Sequence, residues 1–316
     1  MAVHPKDEHD RPLLLLGEQR ESPVLRAVLD RWGIVGPVGL AAPGWEEDEV
    51  DDGWVREAVG RPLANSQLYT LADQLFVEDP EVIALLRERQ DELRRLRDLN
   101  KIQLDHLLTV ARELMRREWQ GQHVGPQLDL TLEHIRQVDQ VYFHQVREVI
   151  RSYDKRIDPW ERPSVQRYRL RVVERLQNCQ CLLIAGGHVG VLLNRLNLSR
   201  LLRYLDVPVI AWSGGALAMG EKVVFYHQSL PQPTHDVELS RQGMNWFQSL
   251  LLFPRSAQRL DLANHLEMAL LARRFANDQC LVFTNQSELE WTAGEIRRVA
   301  GVRKIQWDGG LQEWQP

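Results

Sequence analysis

Hydrophobic positions follow two rhythms along the chain. Short unbroken apolar runs closed by Gly or Pro predict fully buried strands. Leu13–Leu16 before Gly17, and residues 35–42, 179–185 and 207–211, are such runs. Between them, apolar residues recur every three or four positions, as on an amphipathic helix. Val24, Leu25, Val28, Leu29 and Trp32 do so before Gly33, after a Ser22-Pro23 pair that reads as an N-cap with proline at the first helical position. Residues 164–178 and 198–204 predict further helices. Residues 222–227, 247–253 and 280–284 predict strands, 257–275 a helix, and 297–307 a terminal meander turning at Asp308-Gly309-Gly310. Strands and helices alternating over short connections predict an α/β fold with a doubly wound, mostly parallel sheet over residues 12–65 and 154–316. Residues 1–11 are polar and predict a disordered lead-in.

Residues 66–153 break this alternation. From 81 to 118 no Gly or Pro occurs, and Ile83, Leu86, Leu93, Leu96, Leu99, Ile102, Leu107 and Leu114 keep helical spacing. A Gly/Pro-containing break at 120–126 precedes a second stripe of Leu132, Ile135, Val138, Val141, Tyr142, Val146 and Ile150. Two long helices around one turn predict an inserted antiparallel hairpin. Alone, it would expose apolar surface, so it is expected to pack on the α/β body or on a second copy, as a homo-oligomer surface.

Composition narrows the function classes. The 316 residues carry a formal net charge of −5, which argues against a nucleic-acid footprint. No apolar run reaches the length that spans a bilayer, so no membrane role is expected. The polar first residues contain no signal core, which sets a cytoplasmic expectation. Cys179, Cys181 and Cys280 are an odd set suited to neither a disulfide framework nor a zinc site. His106, His123, His134 and His144 share no helix-face ligand spacing, so no metal or cofactor is expected.

The chemistry concentrates where the 207–211 strand runs into Trp212-Ser213-Gly214-Gly215-Ala216. Small residues after a serine permit the tight strand-to-helix turn of a nucleophile elbow; a glycine-rich turn with an N-cap serine uses the same residues. Gly186-Gly187, at the end of the 179–185 strand, can aim backbone N–H groups at an anion. The run Glu46-Glu47-Asp48-Glu49-Val50-Asp51-Asp52 either attracts a cationic group or forms a solvated loop leading into a helix.

Ala185-Gly186-Gly187-His188, followed by Trp212-Ser213-Gly214-Gly215-Ala216, resembles the peptidase E and cyanophycinase family of serine peptidases. That family has a class I glutamine amidotransferase-like fold. The resemblance covers residues 164–290 and, loosely, 12–45; the hairpin lies outside it. It implies Ser213 as nucleophile, with Gly214 N–H and an N–H of Gly186-Gly187 as oxyanion donors. Glutaminase chemistry, which needs a cysteine at the elbow, is set aside. Four positions depart from the pattern. His188-Val189 replace the usual Asn or Asp and Gln, Gly214 replaces an alanine, and Arg255 stands where the catalytic histidine is expected.

Arginine stays protonated and cannot act as the base. Two readings follow. In one, the chain is a divergent relative without Ser–His hydrolysis, binding a small peptide or amide or assembling through its hairpin. In the other, Ser213 acts in a peptidase or amidohydrolase with a relocated base, His188 or His227, with His235 behind them.

Overall fold

A computed structural model of the chain describes residues 11–227 and 234–316; the side chains of residues 227, 234 and 235 are also outside the description. The lead-in read over 1–11 therefore falls outside it, Arg11 excepted. Arg11 is buried, donating to Leu202 O at 2.7 Å and to Leu205 O, with its guanidinium 5.3 Å from the Trp246 ring centroid. A buried cation satisfied by carbonyls belongs to the folded body, which corrects the lead-in boundary.

The first half runs β1 (Leu13–Leu16), α1 (Leu25–Arg31), β2 (Val38–Ala41), a 3-10 stretch (Pro43–Val50), α2 (Gly53–Val59), β3 (Leu63–Asn65) and α3 (Leu68–Glu78). The long helices α4 (Pro80–Trp119) and α5 (Gly125–Ile157) follow. Then come α6 (Pro163–Leu176), β4 (Cys181–Ile184), α7 (Val189–Ser199), α8 (Leu201–Tyr204), β5 (Val209–Trp212) and α9 (Gly214–Met219). The chain ends with β6 (Lys222–His227), β7 (Thr234–Gln242), β8 (Leu250–Pro254), α10 (Ser256–Arg259), α11 (His265–Arg274), β9 (Gln279–Thr292), β10 (Glu295–Ile305) and β11 (Leu311–Glu313).

The main sheet has the order β3-β2-β4-β5-β1-β9-β10-β11, with β8 beside β9; β6 and β7 form a separate pair. Strands β3, β2, β4, β5 and β1 are mutually parallel, and β9 lies antiparallel to β1. The expected α/β fold with a mostly parallel sheet is the observed one. Alternate residues explain why its strands read as unbroken apolar runs. Leu13, Leu15, Ile184 and Ala211 face the core shared with α3, α6 and α7. Leu14, Leu16, Leu183, Ile210 and Trp212 pack on Leu25, Val28 and Leu29 of α1 and on Val55 and Val59 of α2. Both faces are covered, as doubly wound sheets require.

Two predicted helices are corrected. Ser22 makes no capping bond: α1 starts at Leu25, and the buried Gln19 accepts from Val24 N–H at 2.8 Å instead. The helix read over 257–275 is two, α10 and α11, because Asn264 interrupts it and caps α11, accepting from Glu267 N–H.

Helix α4 holds 40 residues, about 60 Å at 1.5 Å per residue. Its buried residues are not quite the predicted stripe. Leu99 and Ile102 are exposed, whereas Leu104, Leu108, Ala111 and Met115 pack with Leu128, Leu132 and Ile135 of α5 on Ala269 and Leu270 of α11. The hairpin thus packs on the body of its own chain. Arginine pairs fasten it there: Arg274–Asp139 at 2.6 Å, Arg112–Glu267 at 2.8 Å and Arg273–Glu118 at 2.8 Å. No helix among the described residues is long and apolar enough to cross a membrane.

Candidate functional site

The carboxyl ends of β1, β2, β4 and β5 open at one edge of the sheet, the usual place for a ligand in such folds. At the end of β5, Ser213 N–H still donates to Leu16 O at 3.2 Å, while the residue adopts φ 53° and ψ −124°. A serine held at positive φ is strained, and the surroundings enforce it. A Cβ on Gly215 would lie 2.3 Å from Ile184 O, so α9 can leave the strand this closely only through glycine.

Across from the serine, β4 ends in the Gly186-Gly187 turn. A Cβ on Gly186 would lie 3.1 Å from Ser213 Oγ and 2.8 Å from Gly214 N. Gly187 has φ 108°, and His188 N–H donates to Gly44 O at 2.7 Å, tying this turn to the exit of β2. Among the described residues, the N–H groups of Gly187 and Gly214 have no hydrogen-bond partner. Two unspent donors beside a hydroxyl are what stabilisation of an oxyanion needs.

The structure brings Ser213, Gly186, Gly187, Gly214, His188 and Arg255 onto one cleft of about 1210 Å3. His188 is the N-cap of α7, its Nδ1 accepting from Val191 N–H at 3.2 Å. In the neutral ring this puts the proton on Nε2, so the free nitrogen offers a donor. Arg255 follows β8 at φ 57°, and its guanidinium lies 3.5 Å from Glu18 Oε2. Among the described residues, no side chain hydrogen-bonds to Ser213 Oγ. The side chains of His227 and His235 lie outside the described residues.

Several cleft residues escape the sequence reading. The hairpin supplies a wall, Ile83, Leu86, Gln90, Leu93 and Arg97 along one face of α4. Trp45 and Trp54 also line the cleft; their ring centroids are 5.8 Å apart, and Trp54 meets Trp212 edge-on at 6.1 Å. Asn194, Arg195 and Arg241 complete it. Only Arg241 carried a local signal: Val237, Leu239 and Arg241 alternate as the inward face of a strand.

The acidic run divides. Asp48 and Asp51 line the cleft, but Glu49 is fully buried, correcting the solvated-loop reading at that residue. Its Oε2 accepts from Tyr69 and Thr70 N–H at 2.8 and 3.1 Å, capping α3, while Oε1 has no partner. Burial outweighs these bonds and the Arg195 charge, raising the carboxyl from 4.5 to about 7. The folded chain therefore keeps a proton that the unfolded chain releases above about pH 4.5. Through this group, stability falls as pH rises to about 7 and is level beyond. Glu49→Gln keeps an acceptor for both N–H groups. The variant is expected to match the wild type near pH 4 and to exceed it by up to about 3 kcal/mol at pH 8 in urea unfolding.

Among known proteins, no family model and no curated protein matches the chain. Among solved structures it is similar to the crystal structure of a peptidase from an acI-B1 Actinobacterium. The two share 10% sequence identity at a TM-score of 0.45, over 94% of this chain and 91% of that one.

Proposed function

We propose that the chain is a divergent peptidase E-like protein whose serine crevice binds a small peptide or amide without Ser–His hydrolysis. One observation carries this reading. The end of β8, where the resemblance expects a base, presents Arg255 to Glu18, and no described side chain hydrogen-bonds to Ser213 Oγ. A hydroxyl without a base is a poor nucleophile, and general-base assistance typically supplies about 10² to 10⁴ in rate. His188 spends Nδ1 on the helix cap, which leaves it unsuited to take the serine proton. What persists is a rigid polar corner, two backbone donors and one hydroxyl, at the floor of a tryptophan-lined cleft. Such a corner can hold a carbonyl oxygen without attacking its carbon.

A dipeptide panel tests the reading. Ligands that fit are expected to raise the thermal unfolding midpoint while chromatography finds them intact after prolonged incubation. Cleavage that disappears in Ser213→Ala would show a working hydrolase instead.

A further inference from the structure

Arg241 closes the inward series of β7 and is 7% exposed. Its Nη1 donates to Asn194 Oδ1 at 3.1 Å, its Nε is buried without an acceptor, and no ion pair reaches it among the described residues. The neighbouring carboxylate, Asp154, is taken by Arg89 at 3.0 Å, and Arg89 also donates to Asn194 Oδ1 at 3.3 Å. Two buried guanidinium groups thus face one carboxylate, which is hydrogen-bonded to Arg89 and not to Arg241. Desolvation, reinforced by repulsion from Arg89 and only partly offset by Asp154, pushes Arg241 down to about 10, so it remains charged at neutral pH. A buried cation with no carboxylate hydrogen-bonded to it is costly, and native folds rarely keep one without a use.

The surroundings suit a ligand anion. Arg241, Asn194, Arg195 and Arg97 all line the cleft that contains Ser213. Asn194 Oδ1 already accepts from two arginines, which leaves its NH2 group without a partner among the described residues. Arg195 Nε is likewise buried and unpaired, with its guanidinium 4.7 Å from the Phe76 ring centroid. Asn194 lies six residues beyond His188 along α7, about 9 Å of helix.

We propose that Arg241, Asn194 and Arg195 form an anion subsite, which receives a phosphate or carboxylate group of the ligand whose other end reaches the Ser213 corner. The oxyanion takes the place of a carboxylate of Arg241's own, accepting from its cleft-lining guanidinium and from the Asn194 amide. Charge-assisted bonds of this kind in a desolvated corner are strong. The subsite goes beyond the reading of Ser213 and does not depend on its reactivity.

Calorimetry and thermal unfolding of the full chain test it, with inorganic phosphate in one arm, glutarate in another, and ionic strength matched by KCl. At least one anion is expected to bind and to raise the midpoint by several degrees; the effective arm identifies the oxyanion. Arg241→Gln should weaken binding about tenfold or more without lowering the anion-free midpoint, because a buried unpaired charge is removed. Asn194→Asp supplies an internal carboxylate in the same shape, so it should abolish the response. Ser213→Ala should keep it, which separates this test from the fate of the hydrolase question. Failure of both anions to stabilise the wild type overturns the subsite. So does an undiminished response in Arg241→Gln or Asn194→Asp.

Discussion

Asp139→Ala is expected to cost about 3 to 5 kcal/mol of stability, the penalty of leaving a buried cation without its partner. Arg274 and Asp139 are 3% and 6% exposed, and two hydrogen bonds of 2.6 and 2.7 Å join them. Arg274 Nη1 also donates to Val237 O at 2.6 Å, so one guanidinium joins α11, α5 and β7. The pair is the buried fastening between the hairpin and the sheet domain. The exposed pairs along α4, such as Arg94–Asp91 and Arg95–Glu92, are solvated and worth little in comparison. Urea unfolding reads the loss directly. The double variant Asp139→Leu with Arg274→Met should recover most of it, since apolar replacement of both partners removes the desolvation problem. A loss below about 1 kcal/mol in Asp139→Ala would mean that the hairpin is held by its apolar contacts alone.

Gly215→Ala is expected to destabilise by about 3 kcal/mol and to displace the Ser213 corner, whereas Gly214→Ala next to it should stay within about 1 kcal/mol of the wild type. At Gly215 the added Cβ meets backbone, Ile184 O at 2.3 Å and Ala185 O at 3.0 Å, which cannot move without separating β4 from β5. At Gly214 the nearest atom is Val189 Cγ2 at 3.0 Å, a side chain able to turn aside, and the backbone contacts, Gly187 O at 3.1 Å and Gly187 N at 3.3 Å, need a shift of only a few tenths of an ångström, against the 2.3 Å clash at Gly215. Thermal unfolding of the two variants gives the comparison. Equal midpoints would contradict the close packing of α9 against β4 on which the Ser213 turn depends.

The tight turn from β5 through Ser213 into α9 was legible because its cause is local. A β-branched run, a serine and two glycines admit few geometries, and the chain adopts one with Ser213 at positive φ. The parallel strands were legible for a related reason, since burial on both faces removes polar residues from β1, β4 and β5. Strand β3 was not, being three residues long with Asn65 at its end. The continuous helix read over 257–275 had no Gly or Pro to interrupt it; the break at Asn264 rests on one capping side chain. Periodicity along α4 announced a long helix but could not say what each turn faces. That helix supplies one wall of the cleft that contains Ser213, a relation between residues more than a hundred positions apart. The unpaired state of Arg241 depends on Asn194, Arg89 and Asp154 meeting from three other elements, and no window of sequence contains that.

Labelling with a fluorophosphonate tests most directly whether Ser213 is positioned but unactivated. The wild-type chain, followed by intact mass, should remain as unlabelled as Ser213→Ala over hours at neutral pH. Stoichiometric addition at Ser213 within minutes would contradict this and establish that a base reaches the hydroxyl.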